Sequence, residues 1–194
     1  MILCNLSNVL AEKRTNISKV SRDTGISRTT LTSLCNNTCQ GVQFDTVNTL
    51  CQKLDISPEQ LFLYSKYDIW VRSDMPYFEI ENFPAVNSGG YNFIIECAGK
   101  KLESAIACTI YFHYEKNYIN WLEVELEWWN EVDNPHIADI IANENRILRK
   151  MLSELTPPLK LWLRNEIESR IQADYDIYLI DGYELSVHYP NEFK

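Results

Sequence analysis

Ile17-Ser18-Lys19-Val20-Ser21-Arg22-Asp23-Thr24-Gly25-Ile26-Ser27-Arg28-Thr29-Thr30-Leu31-Thr32-Ser33-Leu34 is the stretch on which the reading of this chain turns. Asn16 or Ser18 can cap a helix that carries Val20 and stops at Gly25, a residue suited to the left-handed turn that ends helices. Ser27 then caps a further helix from Arg28 to about Cys35, in which Leu31 and Leu34 face inward at a three-residue spacing. The stretch therefore predicts two short helices joined by a tight turn.

The flanks extend the same pattern. Leu6, Val9 and Leu10 form the apolar stripe of a first helix ending near Lys13. Asn36-Asn37-Thr38-Cys39-Gln40-Gly41 reads as a turn-rich loop. Asp45 caps a fourth helix with Val47, Leu50, Cys51 and Leu54 at helical period. Ser57-Pro58-Glu59 starts a fifth, with Ser57 as cap and Pro58 in the first helical position; Leu61 and Phe62 close the bundle.

These residues resemble the helix-turn-helix of Cro and lambda-repressor-type (XRE-like) bacterial and phage regulators. Ser21 stands where that family has a small residue, Gly25 begins the turn, Ile26 plugs it, and Asn36 follows the recognition helix. The tail Leu50…Leu54-Asp55-Ile56-Ser57-Pro58-Glu59-Gln60-Leu61-Phe62 is similar as well. The resemblance covers residues 1–66 and implies an all-α, five-helix, lambda-repressor-like domain. It implies that the second helix crosses the phosphate backbone of double-stranded DNA while the third enters the major groove. By position in the motif, Ser27, Arg28, Thr29 and Ser33 face base edges, with Arg28 a bidentate partner for guanine. Asn16, Lys19, Asn36, Gln40 and Gln43 flank the groove as phosphate contacts, which orient without specifying.

Charge divides the chain at the same place. Residues 1–66 hold seven basic and five acidic side chains, a balance of +2, whereas residues 67–194 hold eleven basic and 22 acidic ones, a balance of −11. Nucleic acid suits the head and is repelled by the body. A balance of +2 releases few counterions, so a homodimer reading a pseudo-palindrome is the expected remedy.

Composition bounds the rest. Apolar residues make up 45% of the 194, with 6 Gly and 7 Pro, enough for a packed core and against disorder. No window reaches the ~20 apolar residues of a membrane helix. The apolar start Met1–Cys4 is too short for a secretory signal. The expectation is a soluble protein of the bacterial cytoplasm. The spacing of Cys35 and Cys39, with Cys4 and Cys51 in the same domain, raises a four-thiolate zinc site. Cys51 already fills an apolar helical position, so the six cysteines read as buried or incidental thiols. Neither metal nor cofactor is expected.

The body shows period-two alternation and reads as α+β, with an antiparallel meander sheet and two helices. Pro76–Phe83, Tyr91–Ala98, Ser104–Glu115 and Trp121–Asn130 read as strands, with a turn over Pro84–Gly90. Asn134-Pro135 caps a helix with Ile137, Ile140, Ile141, Ile147, Leu148, Met151, Leu152 and Leu155 on one stripe. Thr156-Pro157-Pro158 restarts a second with Trp162, Leu163, Ile167 and Ile171. Two β segments, Tyr175–Ile180 and Glu184–Tyr189, flank a turn at Asp181-Gly182.

One strand stands out. Leu122, Val124, Leu126 and Trp128 face one way, and Trp121, Glu123, Glu125, Glu127, Trp129 and Glu131 the other, at ~6.8 Å steps. One reading is a solvated sheet face with Lys or Arg on neighbouring strands. The other is a docking surface for a basic protein, with the tryptophans as anchors and the acids steering association. His113, His136 and His188 are isolated, with no HExxH, nucleophile elbow or phosphate loop, so no enzyme is expected.

Two functions remain open. One is a transcriptional repressor whose body dimerises or senses a ligand. The other joins an autorepressing head to an acidic body that blocks a nucleic-acid-handling enzyme. In architecture the second resembles phage anti-CRISPR proteins directed at the RNA-guided nuclease of type II systems, which holds its duplexes in a basic channel.

Overall fold

A computed structural model describes residues 1–73, 86–97, 100–115, 118–128, 135–176 and 179–193. The chain falls into two compact units, Met1–Lys66 and Tyr67–Lys194.

In the first unit the elements run β1 (Ile2–Cys4), α1 (Leu6–Glu12), α2 (Ile17–Thr24), α3 (Arg28–Cys35), α4 (Phe44–Leu54), α5 (Pro58–Leu61) and β2 (Phe62–Tyr64). Leu6, Val9, Leu10, Val20, Leu31, Leu34, Leu50, Leu54 and Leu61 form one apolar core, with Ile17, Ile26 and Val47 packed against it. The core is the product of the helical spacings, each helix burying its i, i+3/i+4 positions. Gln43, not Asp45, is the N-cap of α4. Asp45 lies within the first turn, where a carboxylate meets the positive end of the helix dipole.

The sequence pattern does not reveal the ribbon that ties the unit's ends together. β1 pairs antiparallel with β2, Ile2 opposite Tyr64 and Cys4 opposite Phe62. The terminal ammonium of Met1 donates to the Ser65 carbonyl at 2.6 Å, and the Ser65 N–H donates to the Met1 carbonyl at 2.9 Å. Three-residue strands carry no readable period, so only their tertiary pairing defines them.

In the second unit β3 (Asp68–Ser73), β4 (Val86–Cys97), β5 (Lys100–Glu115), β6 (Tyr118–Trp128) and β7 (Leu179–His188) form one sheet in that order. α6 (Pro135–Glu154) and α7 (Pro157–Tyr175) precede β7 in the chain. β3 to β6 pair antiparallel. β7 pairs parallel to β6, which makes the sheet mixed rather than a pure antiparallel meander. Parallel neighbours need a long crossover, and the segment carrying both helices supplies it. α6 lies against β5 and α7 against β3. Ile106, Ile110, Leu122 and Val124 from the strands, and Leu152, Leu159, Leu163, Ile167 and Ile171 from the helices, are buried.

Several boundaries differ from the sequence pattern. Val86–Gly90 is strand, because each of its residues has a partner on β5 between Ala107 and Tyr111. The expected strand Pro76–Phe83 lies outside the described residues. The expected turn at Asp181-Gly182 is an irregularity within β7. There the register advances two residues on β6, from Ile119 to Trp121, but five on β7, from Leu179 to Glu184. Gly182 takes the positive φ (79°) that such a kink favours. The α6 stripe buries only Leu148, Met151, Leu152 and Leu155, while Ile137, Ile140 and Ile147 remain exposed. No described helix is long and apolar enough to cross a membrane.

Candidate nucleic-acid interface and the acidic sheet face

Local hydrogen bonds set the two helices at the centre of the first unit. Asn16 is the N-cap of α2, its side chain accepting from the Lys19 N–H at 2.9 Å. At the other end Gly25 sits in the left-handed region (φ 75°), its N–H donating to the Ser21 carbonyl at 2.9 Å. A side chain at that φ is strained, which is why the turn calls for glycine. The Thr24 hydroxyl donates to the Val20 carbonyl (2.7 Å) and accepts from the Ile26 N–H (3.3 Å), bridging the turn. Ser27 caps α3, accepting from the Thr30 N–H at 3.0 Å.

α3 is two-sided. Leu31 and Leu34 are sealed in the core, whereas Arg28, Thr29 and Thr32 are exposed on the opposite arc. Arg28 makes no ion pair among the described residues. Ser27 and Ser33 differ from these three. The Ser27 hydroxyl is held by the cap and lies 2.8 Å from the Thr30 hydroxyl, and half-buried Ser33 donates its proton to the Thr30 carbonyl at 3.0 Å. Thr32 was not among the sequence candidates. Its position one helical turn beyond Arg28 is the signal that finds it.

Around this arc Asn16, Lys19, Asn36, Gln40 and Gln43 are all exposed. Asn16 and Gln43 are N-caps and Asn36 is the C-cap of α3. Two other cations turn to a carboxylate within the unit, Lys53 lying 3.1 Å and Arg22 3.6 Å from Asp23. The hydrogen bond from Lys53 holds that carboxyl below its usual range.

Behind α3 the loop is tied to β1 by a residue the sequence pattern passed over. Asn37 adopts φ 55°, accepts from the Cys4 N–H at 2.6 Å and donates to the Cys4 carbonyl at 3.1 Å. Asn tolerates the left-handed region better than most residues. Cys4, Cys35, Cys39 and Cys51 are free thiols packed in or on the core. Burial pushes the Cys4 thiol up to about 11. Among the described residues no group of three His, Cys, Asp or Glu side chains is placed to hold a metal ion.

On the second unit, β6 alternates as its sequence requires. Leu122, Val124, Leu126 and Trp128 are buried, while Trp121, Glu123 and Glu125 are half-buried and Glu127 is exposed. Trp129 and Glu131 lie outside the described residues. Among the described residues, what flanks the acids is histidine and tyrosine rather than Lys or Arg. His113 Nε2 lies 3.7 Å and His188 Nε2 3.4 Å from the two Glu123 oxygens, and His113 stacks on Trp121 with ring centroids 4.1 Å apart. The Tyr111 hydroxyl donates to Glu125 Oε2 at 3.1 Å, a bond that raises the phenol's pKa. A groove of about 420 Å³ opens beside the carboxyl ends of β6 and β7, with Glu125, Glu127, Trp128, His188, Tyr189 and Pro190 among its lining.

Comparison with known proteins bears on the first unit alone. No curated protein matches the chain. A solved structure titled "Crystal structure of a putative DNA-binding protein from Bacteroides fragilis" is 28% identical over 32% of this chain and all of that one, with a TM-score of 0.30. The family described as the Cro/C1-type HTH DNA-binding domain matches residues 5–66. That span takes in the core helices, the Gly25 turn and the exposed arc of α3: residues 5–66 are a Cro/C1-type helix-turn-helix domain.

Proposed function

We propose that this chain is a transcriptional repressor of its own promoter that reads double-stranded DNA with the exposed arc of α3. The observation that carries the reading is the two-sidedness of that helix: Leu31 and Leu34 anchor it, and Arg28, Thr29 and Thr32 stand free. Arg28 pairs with guanine, and the threonines offer a hydroxyl and a methyl group to base edges. Ser27 and Ser33, with hydroxyls engaged in the helix, shape the surface more than they read it. Lys19, Asn16, Asn36, Gln40 and Gln43 position the phosphates. With so few free cations, two copies bind a two-fold site. Neither unit catalyses a reaction in this reading, and the protein works in the bacterial cytoplasm.

The body's charge favours a second activity joined to the first. A balance of −11 and the exposed Glu127 beside the groove support a basic protein partner. The basic channel of an RNA-guided nuclease is one surface of that kind.

The test is selection of bound sequences from random duplex DNA by the full chain, followed by titration of the selected site. Arg28→Ala is expected to weaken the selected site by about 1–3 kcal/mol while changing random DNA little. Lys19→Ala is expected to weaken both alike and to lower the salt slope by about 1. Enrichment of no sequence, or an Arg28→Ala variant that keeps full preference, overturns the reading.

A further inference from the structure

α6 carries two apolar rows, and its own unit uses one of them. Leu148, Met151, Leu152 and Leu155 are buried, while Ile137, Ile140 and Ile147 stand 44%, 47% and 37% exposed. These three recur at the three- and seven-residue steps that keep side chains on one helix face. Half-buried Glu144, in the same row, already has a partner within the chain. Of the four large hydrophobic residues exposed in the second unit among the described residues, three lie in this row. Scattered apolar side chains are ordinary on a surface, and a row of them marks a contact.

Beside it runs a polar row, Asp139, Asn143, Arg146 and Lys150, spaced four, three and four residues apart and exposed throughout. Its acid stands toward the start of α6 and its bases toward the end. Arg146 donates to the Asn143 side chain at 2.8 Å. Asp139, Arg146 and Lys150 form no ion pair among the described residues, in contrast to Arg149 with Glu192 and Arg170 with Glu166.

The order of these charges selects what can cover the face. A second α6 laid parallel would set Asp139 on Asp139 and Arg146 on Arg146. Laid antiparallel, with Ile140 of each copy against Ile147 of the other, it brings Asp139 level with a point midway between Arg146 and Lys150 of the second copy. Each base is then about 3 Å away along the axis, at 1.5 Å per residue. The alkyl stem of Lys150 falls over Ile137 of the other copy. Every contact forms twice about a two-fold axis, as an isologous dimer requires. Flanking charges of opposite sign fix orientation in paired helices.

We propose that this face of α6 is a dimer interface, packed antiparallel against α6 of a second copy of the chain. The proposal rests on the two-copy reading of DNA binding and gives that reading a contact. Charge complementarity identifies the occupant, since the polar row matches its own reverse, and burial of the isoleucines supplies the attraction.

The experiment is sedimentation equilibrium of the full chain at concentrations up to about 100 µM. The unsubstituted chain is expected to be a dimer. Asp139→Lys is expected to weaken the dimer by about tenfold or more, because two like-charge contacts replace two attractive ones. The pair Arg146→Asp, Lys150→Asp is expected to weaken it likewise. All three substitutions together restore opposite charges across the axis and are expected to recover the dimer to within about threefold. Ile140→Ser, Ile147→Ser is expected to abolish it. Unchanged circular dichroism and melting temperature establish that the charge variants fold. A triple variant no more dimeric than its parents, or an Asp139→Lys chain as dimeric as the unsubstituted one, overturns the α6 interface while the two-copy reading stands. An unsubstituted chain that is monomeric throughout that range also overturns the interface. If it then occupies its selected DNA site as one copy, the two-copy reading falls with it.

Discussion

α3 and β6 present the same pattern in sequence, one face apolar and the other polar, and the fold treats them differently. On α3 the polar side chains bond within their own helix: the Ser27 hydroxyl caps Thr30, and Ser33 bonds the Thr30 carbonyl. Arg28, Thr29 and Thr32 are left outward. On β6 the polar face meets β5 and β7, so the carboxylates acquire His113, His188 and Tyr111 as company. A helix supplies its own neighbours at three and four residues, whereas a strand's neighbours come from distant parts of the chain. A polar helix face can therefore be read from sequence, and a polar sheet face cannot until its register is known.

The largest effect that tests this contrast is in the cores beneath the two faces. Leu31 and Leu122 are each fully buried, and cutting either to alanine is expected to cost about 2–5 kcal/mol. All five tryptophans lie beyond residue 66, so tryptophan fluorescence reports the second unit alone. Leu31→Ala is expected to abolish DNA binding and spare the tryptophan unfolding transition. Leu122→Ala is expected to do the reverse. A Leu31→Ala variant that moves the tryptophan midpoint as far as Leu122→Ala does would show that the units do not unfold independently.

A smaller effect is expected at Asn37, where the helix-turn-helix stops being self-contained. Asn37→Ala removes two hydrogen bonds to Cys4 and places a Cβ-bearing residue with less tolerance at φ 55°. The expected loss is about 2–3 kcal/mol of first-unit stability. Asn37→Gly, which accepts the backbone angle, is expected to lose less. Urea titrations followed by retained DNA binding measure both, and equal losses would remove the backbone from the explanation.

The smallest effect is alkaline. Burial raises Cys4 in the first unit to about 11 and Cys108 in the second to about 12, from an ordinary thiol value near 9. Each native thiol resists ionisation that the unfolded chain allows. The stability is therefore fully present below pH 9 and is lost as pH climbs toward 11 in the first unit and 12 in the second. Midpoints measured across that range should fall less steeply in Cys4→Ala for the first unit and in Cys108→Ala for the second. Parallel slopes with and without each thiol would assign the alkaline loss to other groups.

Legibility followed the distance over which information had to travel. Asn16, Gly25 and Ser27 announced their caps and turn because each bonds within four residues of itself. Asn37 gave no such sign, since its partner stands 33 residues away. Phe44 shows the limit from the other side, an apolar residue at the start of α4 that is 92% exposed. Ile137, Ile140 and Ile147 kept helical spacing yet stay exposed, since period fixes which side is apolar and not what covers it. Glu125 and Glu127 were visible as a pair, but the groove beside them needs Tyr189 and Pro190, more than 60 residues on.

Caps, turn glycine and leucine spacing, all local, determined from the sequence alone that the first third holds a bihelical unit, and the resemblance of its motif implied that Arg28 faces outward. The β1–β2 clasp, the parallel seating of β7 and the histidines around Glu123 were decided only when distant segments met. Pairing between strands is set by the packing of the whole unit, and no stretch of a few residues encodes it.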